Sequence, residues 1–236
     1  MKQLKSIFTL MIACVFAVTG FAQSTDTGDA PQKDSPFSFR LGAKLGFHAM
    51  TNISFTDDVD FQTYQWEPTT SFIYGASSEL MFSKRFGLQV EAQFTRKGLT
   101  AKPAFDYTQK ISMLEVPMYL KITDLEGDHF GSFFSGSDFN TGVLVGPIYG
   151  INTGVVEKSG SEREKTDIKD TDYKRSHWQL GLYAMADGNI ADGHRVGLQI
   201  GGKIGITDLG KDESFTQLFR SLDVSLIYYI PTKFKR

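Results

Sequence analysis

The residue pair with the clearest capacity for chemistry is Ser176-His177, a hydroxyl beside an imidazole. Asp172 and Glu162 lie nearby in the sequence, so the parts of a nucleophilic triad occur within one short stretch. Adjacent residues on a β-strand point to opposite faces, however, and this disfavours a direct Ser–His hydrogen bond. We therefore predict a solvent-exposed histidine at the rim of the fold and no catalytic site.

The remaining histidines do not form a metal-binding pattern. His48, His129 and His194 are scattered among predicted loops and strand ends, without a cluster that has ligand spacing. The glycines between Gly142 and Gly154 follow a strand pattern, and no lysine stands at the offset that a phosphate-binding loop requires. The sequence therefore indicates no metal site and no cofactor.

Charge is nearly balanced over the chain, with 25 basic and 27 acidic residues and a formal net charge of −2. This balance gives no indication of a nucleic-acid partner. Charges of both signs are dense from Glu157 to Lys174. We interpret this stretch as a solvated outer loop, the alternative being a binding epitope.

The N-terminus has the order of parts of a secretory signal peptide. Lys2 and Lys5 give a positively charged start, residues 7–18 are almost all apolar, and Gly20-Phe21-Ala22 forms a small-x-small site. We predict cleavage after Ala22 or Gln23 and assign residues 1–22 to the signal peptide. The alternative, a membrane anchor helix, would need about 20 apolar residues, and this run is shorter.

The only cysteine, Cys14, lies inside this apolar run. Acylation of Cys14 in a lipoprotein is an alternative, but it would leave an apolar stretch after the modified residue. Without the signal peptide the chain has no cysteine, and hence no disulfide framework. Residues 23–37, which are rich in small and polar residues and lack periodicity, are predicted to form a mobile periplasmic leader.

From Phe37 onward the hydrophobic pattern has a period of two, as in strands with one apolar and one polar face. The clearest example is Phe86–Thr95, where Phe, Leu, Val, Ala and Phe alternate with Gly, Gln, Glu, Gln and Thr. The pattern predicts eight strands, an even number. Their approximate ranges are 39–48, 71–82, 86–95, 111–122, 139–150, 173–187, 196–206 and 222–230.

Strand and loop lengths favour a membrane barrel. A strand tilted across a bilayer needs roughly 9–11 residues, whereas strands of soluble proteins average about 5–6. Outer-membrane barrels have long outer loops and short periplasmic turns, so we predict that both termini face the periplasm. The predicted long links are 49–69, 97–110, 151–172 and 207–218; the short ones are 83–85 and 188–193, and 123–138 is an exception.

The two faces of the predicted strands differ in charge. The polar faces carry four cations and four anions: Arg40, Lys44, Lys121 and Lys203, with Glu79, Glu91, Glu115 and Asp223. The apolar faces carry no charge over their central parts. Because a charge facing lipid costs about 2–4 kcal/mol at the midplane, this band favours a lipid-facing exterior over a soluble barrel. An eight-stranded interior holds packed side chains and little else, so we expect a closed polar lumen rather than a diffusion channel.

Aromatic residues are predicted to form two interfacial girdles, as in membrane barrels. One contains Phe39, Phe82, Phe86, Phe139 and Tyr228, and the other contains Phe47, Phe72, Tyr74, Phe94, Tyr149, Trp178 and Phe219.

Two prolines interrupt the strand pattern. Pro117 and Pro147 lie within the fourth and fifth predicted strands, where proline removes a ladder hydrogen bond. We predict a β-bulge or a weak seam between these two strands, with misplaced strand ends as the alternative.

Several short motifs follow one another in a fixed order. They are Leu41-Gly42-Ala43-Lys44-Leu45-Gly46, Leu88-Gln89-Val90-Glu91 leading to Lys97-Gly98, Leu114-Glu115-Val116-Pro117 and Gly146-Pro147, with Phe21-Ala22-Gln23 at the signal-peptide end. This order resembles the PorT-type outer-membrane β-barrel family typical of Bacteroidetes, over nearly the whole mature chain. The resemblance implies an eight-stranded barrel and, because a few relatives belong to a secretion apparatus, an envelope or secretion protein as partner. The end departs from the common barrel pattern, since residues 231–236 follow the last aromatic strand.

The sequence thus predicts an all-β protein, an eight-stranded antiparallel transmembrane β-barrel preceded by a cleaved signal peptide. The barrel is assigned to residues 38–231 and a short tail to 232–236. We expect a non-enzymatic structural or binding role in the cell outer membrane, with membrane lipid and, during insertion, the barrel-assembly machinery as partners. The alternatives are a lipid-modifying barrel enzyme and a soluble periplasmic ligand-binding barrel.

Overall fold

The computed structural model describes residues 38–55, 65–83, 85–102, 107–123, 139–191, 194–211 and 216–230. The predicted signal peptide, leader and tail, together with His129, lie outside these ranges and stay predictions. Within the described ranges, no helix combines the length and the apolar character needed to cross a membrane.

Eight of the nine strands in the described chain close into an antiparallel barrel. The strands are β1 (Ser38–Phe55), β2 (Gln65–Met81), β3 (Phe86–Lys102), β4 (Tyr107–Thr123), β5 (Phe139–Ser159), β6 (Glu162–Asp167), β7 (Ser176–Ala191), β8 (His194–Gly205) and β9 (Thr216–Ile230). Each barrel strand pairs with the barrel strands before and after it in the chain. Because the short β6 is not part of the ring, β5 pairs directly with β7, and β9 pairs with β1 to close the barrel. The predicted eight-stranded antiparallel barrel is confirmed.

The strands are longer than the alternation of polar and apolar residues predicts. β1 continues to Phe55 and β3 to Lys102, so much of the predicted loops 49–69 and 97–110 is strand. The alternation fades there because these segments no longer need an apolar face, while pairing continues because it satisfies the backbone N–H and C=O groups. The hydrophobic pattern therefore reports the length of the apolar band rather than the length of the strand.

The two prolines lie inside paired strands without displacing them. The pairs Pro117–Ile148 and Leu120–Val145, on either side of a short interruption, belong to a single register of β4 and β5. Pro147 faces outward and also stands opposite Leu180 of β7. The ladder thus tolerates both prolines, and the predicted seam does not separate the two strands.

A β-bulge does occur between β4 and β5, but it lies nearer the start of β4 and the end of β5 than the prolines do. The register shifts between Ser112 and Met113, which leaves Thr153 as the additional residue. The Thr153 hydroxyl donates to the Ser112 carbonyl at 3.0 Å. Because one extra residue exchanges the two faces, odd-numbered positions of β5 face outward before the bulge and even-numbered positions after it.

The apolar faces of the strands point outward and the polar faces point into the barrel. Leu45 and Phe72, for example, are 64% and 74% exposed, whereas Glu91 and Lys203 are buried. This polarity is the inverse of a soluble barrel, in which the apolar face forms the core. The predicted apolar exterior is confirmed.

Aromatic side chains ring the exterior near both ends of the barrel. We call the end with Ser38 and Ile230 the terminal end and the opposite end the loop end. Five residues of the predicted loop-end girdle are exposed and a sixth, Tyr149, is half-buried; the exposed ones are Phe47, Phe72, Tyr74, Phe94 and Trp178. Rings of neighbouring strands touch, with centroids 5.7 Å apart for Tyr74–Phe94 and 4.9 Å apart for Tyr149–Trp178.

Phe219 does not belong to this girdle, contrary to the prediction. It is only 3% exposed, because the odd-numbered residues of β9 face the interior. The Lys97 ammonium lies over its ring, 5.8 Å from the centroid. Phe219 is near a strand end, as a girdle residue would be, but the parity of β9 turns its side chain inward.

Beyond the loop end, β5 and β6 form a hairpin that the sequence pattern did not predict. Two residues, Gly160 and Ser161, connect the strands, and Gly160 has a φ of 59°. Positive φ is typical of two-residue hairpin turns and suits glycine. The stretch from Glu157 to Lys174 is therefore partly ordered strand and not only a solvated loop.

Candidate functional site

The lumen is the most distinctive chemical feature of the molecule. Five carboxylates line it, each no more than 1% exposed: Glu79, Glu91, Glu115, Asp187 and Asp223. Six cations face them, namely Arg40, Lys44, Lys97, Lys121, Arg195 and Lys203. Every one of these carboxylates lies within ion-pair distance of at least one of the cations. Burial at this level demands such pairing, because an isolated buried charge is very costly.

Glu115 is the centre of the network near the loop end. Lys97 Nζ and Lys203 Nζ lie 2.5 Å and 2.7 Å from its two carboxylate oxygens. The side-chain amides of Gln93 and Gln179 donate to the same carboxylate at 2.8 Å and 2.9 Å. Lys203 also contacts Asp223 at 3.0 Å. Four donors on one carboxylate fix its position in the lumen.

A second cluster occupies the middle of the lumen. Lys44 Nζ lies 2.6 Å from Glu91 Oε2 and donates to Gln199 Oε1 at 3.0 Å. Gln89 Nε2 donates to the other oxygen of Glu91 at 2.6 Å. Since these residues come from β1, β3 and β8, the cluster connects opposite walls of the barrel.

The third cluster lies toward the terminal end. Glu79 accepts from Arg40 at 2.8 Å and from the Tyr229 hydroxyl at 3.2 Å, and Lys121 contacts it as well. Lys121 Nζ also lies 2.7 Å from Asp187, which Arg195 contacts from β8. Polar groups therefore cross-link the lumen along its length.

The lumen is not wholly polar. Tyr119, Leu144, Ile148, Tyr183 and Met185 form a buried apolar cluster on the inner face of β4, β5 and β7. The Tyr183 hydroxyl connects this cluster to the polar network by donating to Asp223 at 2.5 Å. The apolar cluster fills one side of the lumen while ion pairs fill the rest.

An apolar layer covers the lumen at the loop end. Ile168 and Leu209, which lie outside the barrel strands, pack against inward residues of the barrel in a buried cluster. The Tyr173 side chain packs against this cluster, and its hydroxyl donates to Gln109 Oε1 at 2.5 Å. Desolvation, reinforced by the nearby Glu157 carboxylate, raises the pKa of Tyr173 to about 12. Residues of the connecting segments thus act as a lid over the ion-paired interior.

The Ser176-His177 pair does not form a catalytic arrangement. The two side chains point to opposite faces, as predicted, with Ser176 exposed and His177 only 2% exposed. The prediction of a solvent-exposed histidine is therefore wrong, because His177 takes an inward position of β7. Its Nε2 accepts from the Gln179 amide at 2.8 Å.

The other two described histidines also lie apart from any metal-type arrangement. His48 is fully buried and contacts the Thr95 hydroxyl at 3.1 Å, whereas His194 stacks on Tyr228 outside the lumen. Among the described residues no group of three or more His, Cys, Asp or Glu side chains could hold a metal ion.

The polar residues predicted to face the lumen do so, but three charged members of the network were missed. Lys97, Asp187 and Arg195 belong to the clusters described above, and the sequence placed them in predicted loops or at strand ends. The alternation of β3 does indicate that Lys97 faces the lumen, since the inward residues Glu91, Gln93 and Thr95 precede it at every second position. Extending the alternation into the polar segments would have identified it.

A family model agrees with this architecture. The family model described as "Outer membrane protein beta-barrel domain" matches residues 21–211. The outer membrane protein OprG from Pseudomonas aeruginosa has 13% sequence identity and a TM-score of 0.47, with 82% of this chain and 93% of that chain covered. No curated protein sequence matches the chain.

Two other solved structures have similar coverage. Neisserial surface protein A has 11% identity and a TM-score of 0.43, with 81% of this chain and 97% of that chain covered. Ail from Yersinia pestis, solved in complex with the heparin analogue sucrose octasulfate, has 11% identity and a TM-score of 0.39, with 81% and 99% covered.

Proposed function

The chain belongs to the outer membrane protein beta-barrel domain family, and from this membership we propose that it is a closed, non-enzymatic barrel with a structural or binding role. The observation that carries the proposal is the burial of five lumenal carboxylates, each paired with a cation. A conducting pore needs hydrated groups along its wall, whereas these groups are desolvated. The lid at the loop end further supports a closed lumen.

The proposal also depends on the energetic cost of opening the lumen. Removing one partner of a buried ion pair costs about 3–5 kcal/mol, because the other charge stays buried without compensation. A channel would have to break several of the contacts around Glu115, Glu91 and Glu79 together. The closed state is therefore the functional state that the geometry favours.

Conductance measurements test the closed lumen. Reconstituted into a planar bilayer, the protein should produce no discrete conductance steps, although flotation of proteoliposomes shows that it is inserted. A bilayer without protein gives the baseline. Stepwise conductance that increases with the amount of inserted barrel would contradict the proposal.

We propose in addition a PorT-like role in a secretion or transport assembly, with a cleaved signal peptide and both termini in the periplasm. The ordered motifs that resemble that family support this role. A deletion strain should secrete less protein while the envelope stays intact, and the wild-type gene should restore secretion. Normal secretion after deletion would overturn the role and leave the closed barrel untouched.

The structure bears on both alternatives, the soluble barrel and the lipid-modifying enzyme. A soluble barrel with an apolar core is excluded by the exposed apolar exterior. A lipid-modifying enzyme at the rim loses its best candidate pair, since Ser176 and His177 lie on opposite faces of β7.

A further inference from the structure

Five basic side chains collect on the outer face of the sheet at the loop end. They are Arg96, Lys110, Lys158, Arg163 and Lys165, which we call the basic face. The pairing of β3, β4, β5 and β6 places them together, because residues directly opposite one another share a face. Lys110 stands opposite Val156, Val156 opposite Lys165, and Lys158 opposite Arg163.

The opposite face of the same hairpin is acidic. Glu157 stands directly opposite Glu164, and Glu162 lies two residues from Glu164 on the same face of β6. Glu157 faces the barrel axis, where the Gln109 amide donates to it at 2.7 Å. The alternating sequence of β6 therefore divides its charges between a basic outer face and an acidic inner face, with Asp167 as the one acid among the outward residues of β6.

This division of charge is unfavourable for the hairpin itself. Like charges directly opposite one another destabilise an antiparallel pair, and both Lys158–Arg163 and Glu157–Glu164 are such pairs. Within the described residues, none of the five basic side chains forms an ion pair. A surface that the fold does not neutralise by itself points to an anion outside the protein.

The basic face begins immediately beyond the loop-end girdle. Arg96 follows Phe94 by two residues on the same outward face of β3, a step of roughly 7 Å along the strand. Aromatic girdles lie at the level of the membrane–water interface. The five cations therefore begin with Arg96 at the level of the lipid headgroups and continue outward from it along the strands, and they point away from the barrel axis.

We propose that the basic face binds the phosphorylated headgroups of anionic lipid in the leaflet at the loop end, a bisphosphorylated glycolipid of the lipid A class. Guanidinium and ammonium groups form charge-assisted hydrogen bonds with phosphate oxygens. The outward direction of the face and its continuity with the girdle favour a membrane lipid over a soluble anion. The proposal depends on membrane insertion with both termini in the periplasm, which makes the loop end the outer face, but it does not depend on a closed lumen.

Native mass spectrometry of the protein in neutral detergent, titrated with bisphosphorylated lipid A, tests the proposal. The test variant carries Lys158→Gln, Arg163→Gln and Lys165→Gln, and the matched control carries Glu162→Gln and Glu164→Gln on the other face of the same strand. Each basic residue near an anionic surface contributes about five-fold in affinity. The triple variant should therefore bind lipid A roughly a hundred-fold more weakly, while the control should bind as the wild type does.

Three further results would overturn the proposal. One is equal binding of lipid A from which both phosphates have been removed, and another is an equal loss in the test and control variants. The third is binding of heparin by the basic face without binding of lipid A, which would indicate a soluble polyanion. Heat-modifiable gel mobility shows that each variant is folded, and conductance steps would count against the closed lumen without affecting this result.

Discussion

At the scale of single residues, Glu115 is the side chain on which the lumen depends most. It contacts two lysines and two glutamine amides and is fully buried. Glu115→Ala should lower the free energy of unfolding by about 3–5 kcal/mol, because Lys97 and Lys203 lose a shared buried partner. Urea unfolding of the vesicle-embedded protein measures this change.

The matched control for this prediction is Glu162→Ala, at an exposed residue of β6. A surface substitution of this kind should change the free energy of unfolding by less than about 0.5 kcal/mol. Equal effects of the two substitutions would show that the lumenal ion pairs do not contribute as their burial implies.

Single residues could be predicted from the sequence only where the alternation was regular. Glu115 and Lys203 were assigned to the interior by parity, and the structure places them there. Proximity to a strand end predicts His177 and Phe219 on the exterior, and both predictions are wrong. Which cation pairs with which carboxylate was beyond sequence reasoning, since it depends on how far each strand is displaced along its neighbour.

At the scale of elements, the like-charged pairs of the β5–β6 hairpin should lower its stability. Lys158→Glu would place a carboxylate opposite Arg163, and a favourable cross-strand pair contributes roughly 0.2–1 kcal/mol. The amides of β6 should then exchange with solvent deuterium about two-fold more slowly. The control is Lys165→Glu, which reverses the same charge opposite an apolar residue, Val156. Faster exchange in Lys158→Glu than in the control would contradict the repulsion described above.

The barrel strands were predictable as elements because the bilayer imposes a strict period on them. The hairpin was not, because outside the bilayer no apolar face is required and its charges resemble those of a solvated loop. The position of the β-bulge was missed for a related reason. Proline marks a lost hydrogen bond, whereas the bulge at Thr153 occurs where the strand leaves the apolar band and changes its faces.

At the scale of the whole molecule, the apolar exterior predicts that the cost of an outward-facing charge depends on its depth in the membrane. Leu226 is 54% exposed, and the strand pairing places it between Leu45 and Leu198 on the outer surface. Leu226→Arg should destabilise the barrel by about 2–4 kcal/mol if this position is at the midplane, whereas Ile230→Arg near the terminal end should cost about 0–1 kcal/mol. Unfolding in vesicles measures both, and equal costs would contradict a lipid-embedded band.

The whole architecture could be predicted because one constraint, an apolar exterior on every strand, acts along the entire barrel. The filling of the lumen could be predicted only in part. An interior of eight strands accepts either polar or apolar side chains, and the apolar cluster around Tyr119 shows that this chain uses both. The physiological task does not follow from the fold, since one fold serves many functions.

The pairing of β1 with β9 also determines the order in which the protein can assemble. Leu41 pairs with Ile230, and nearly the whole described chain separates them, whereas the other strand pairings of the barrel join strands that are neighbours in the chain or separated only by β6. Contacts of long sequence separation form late, because the entropy of closing the intervening loop opposes them. Synthesis must therefore reach the last strand before the sheet loses its two free edges, and until then those edges expose unpaired backbone groups that promote aggregation.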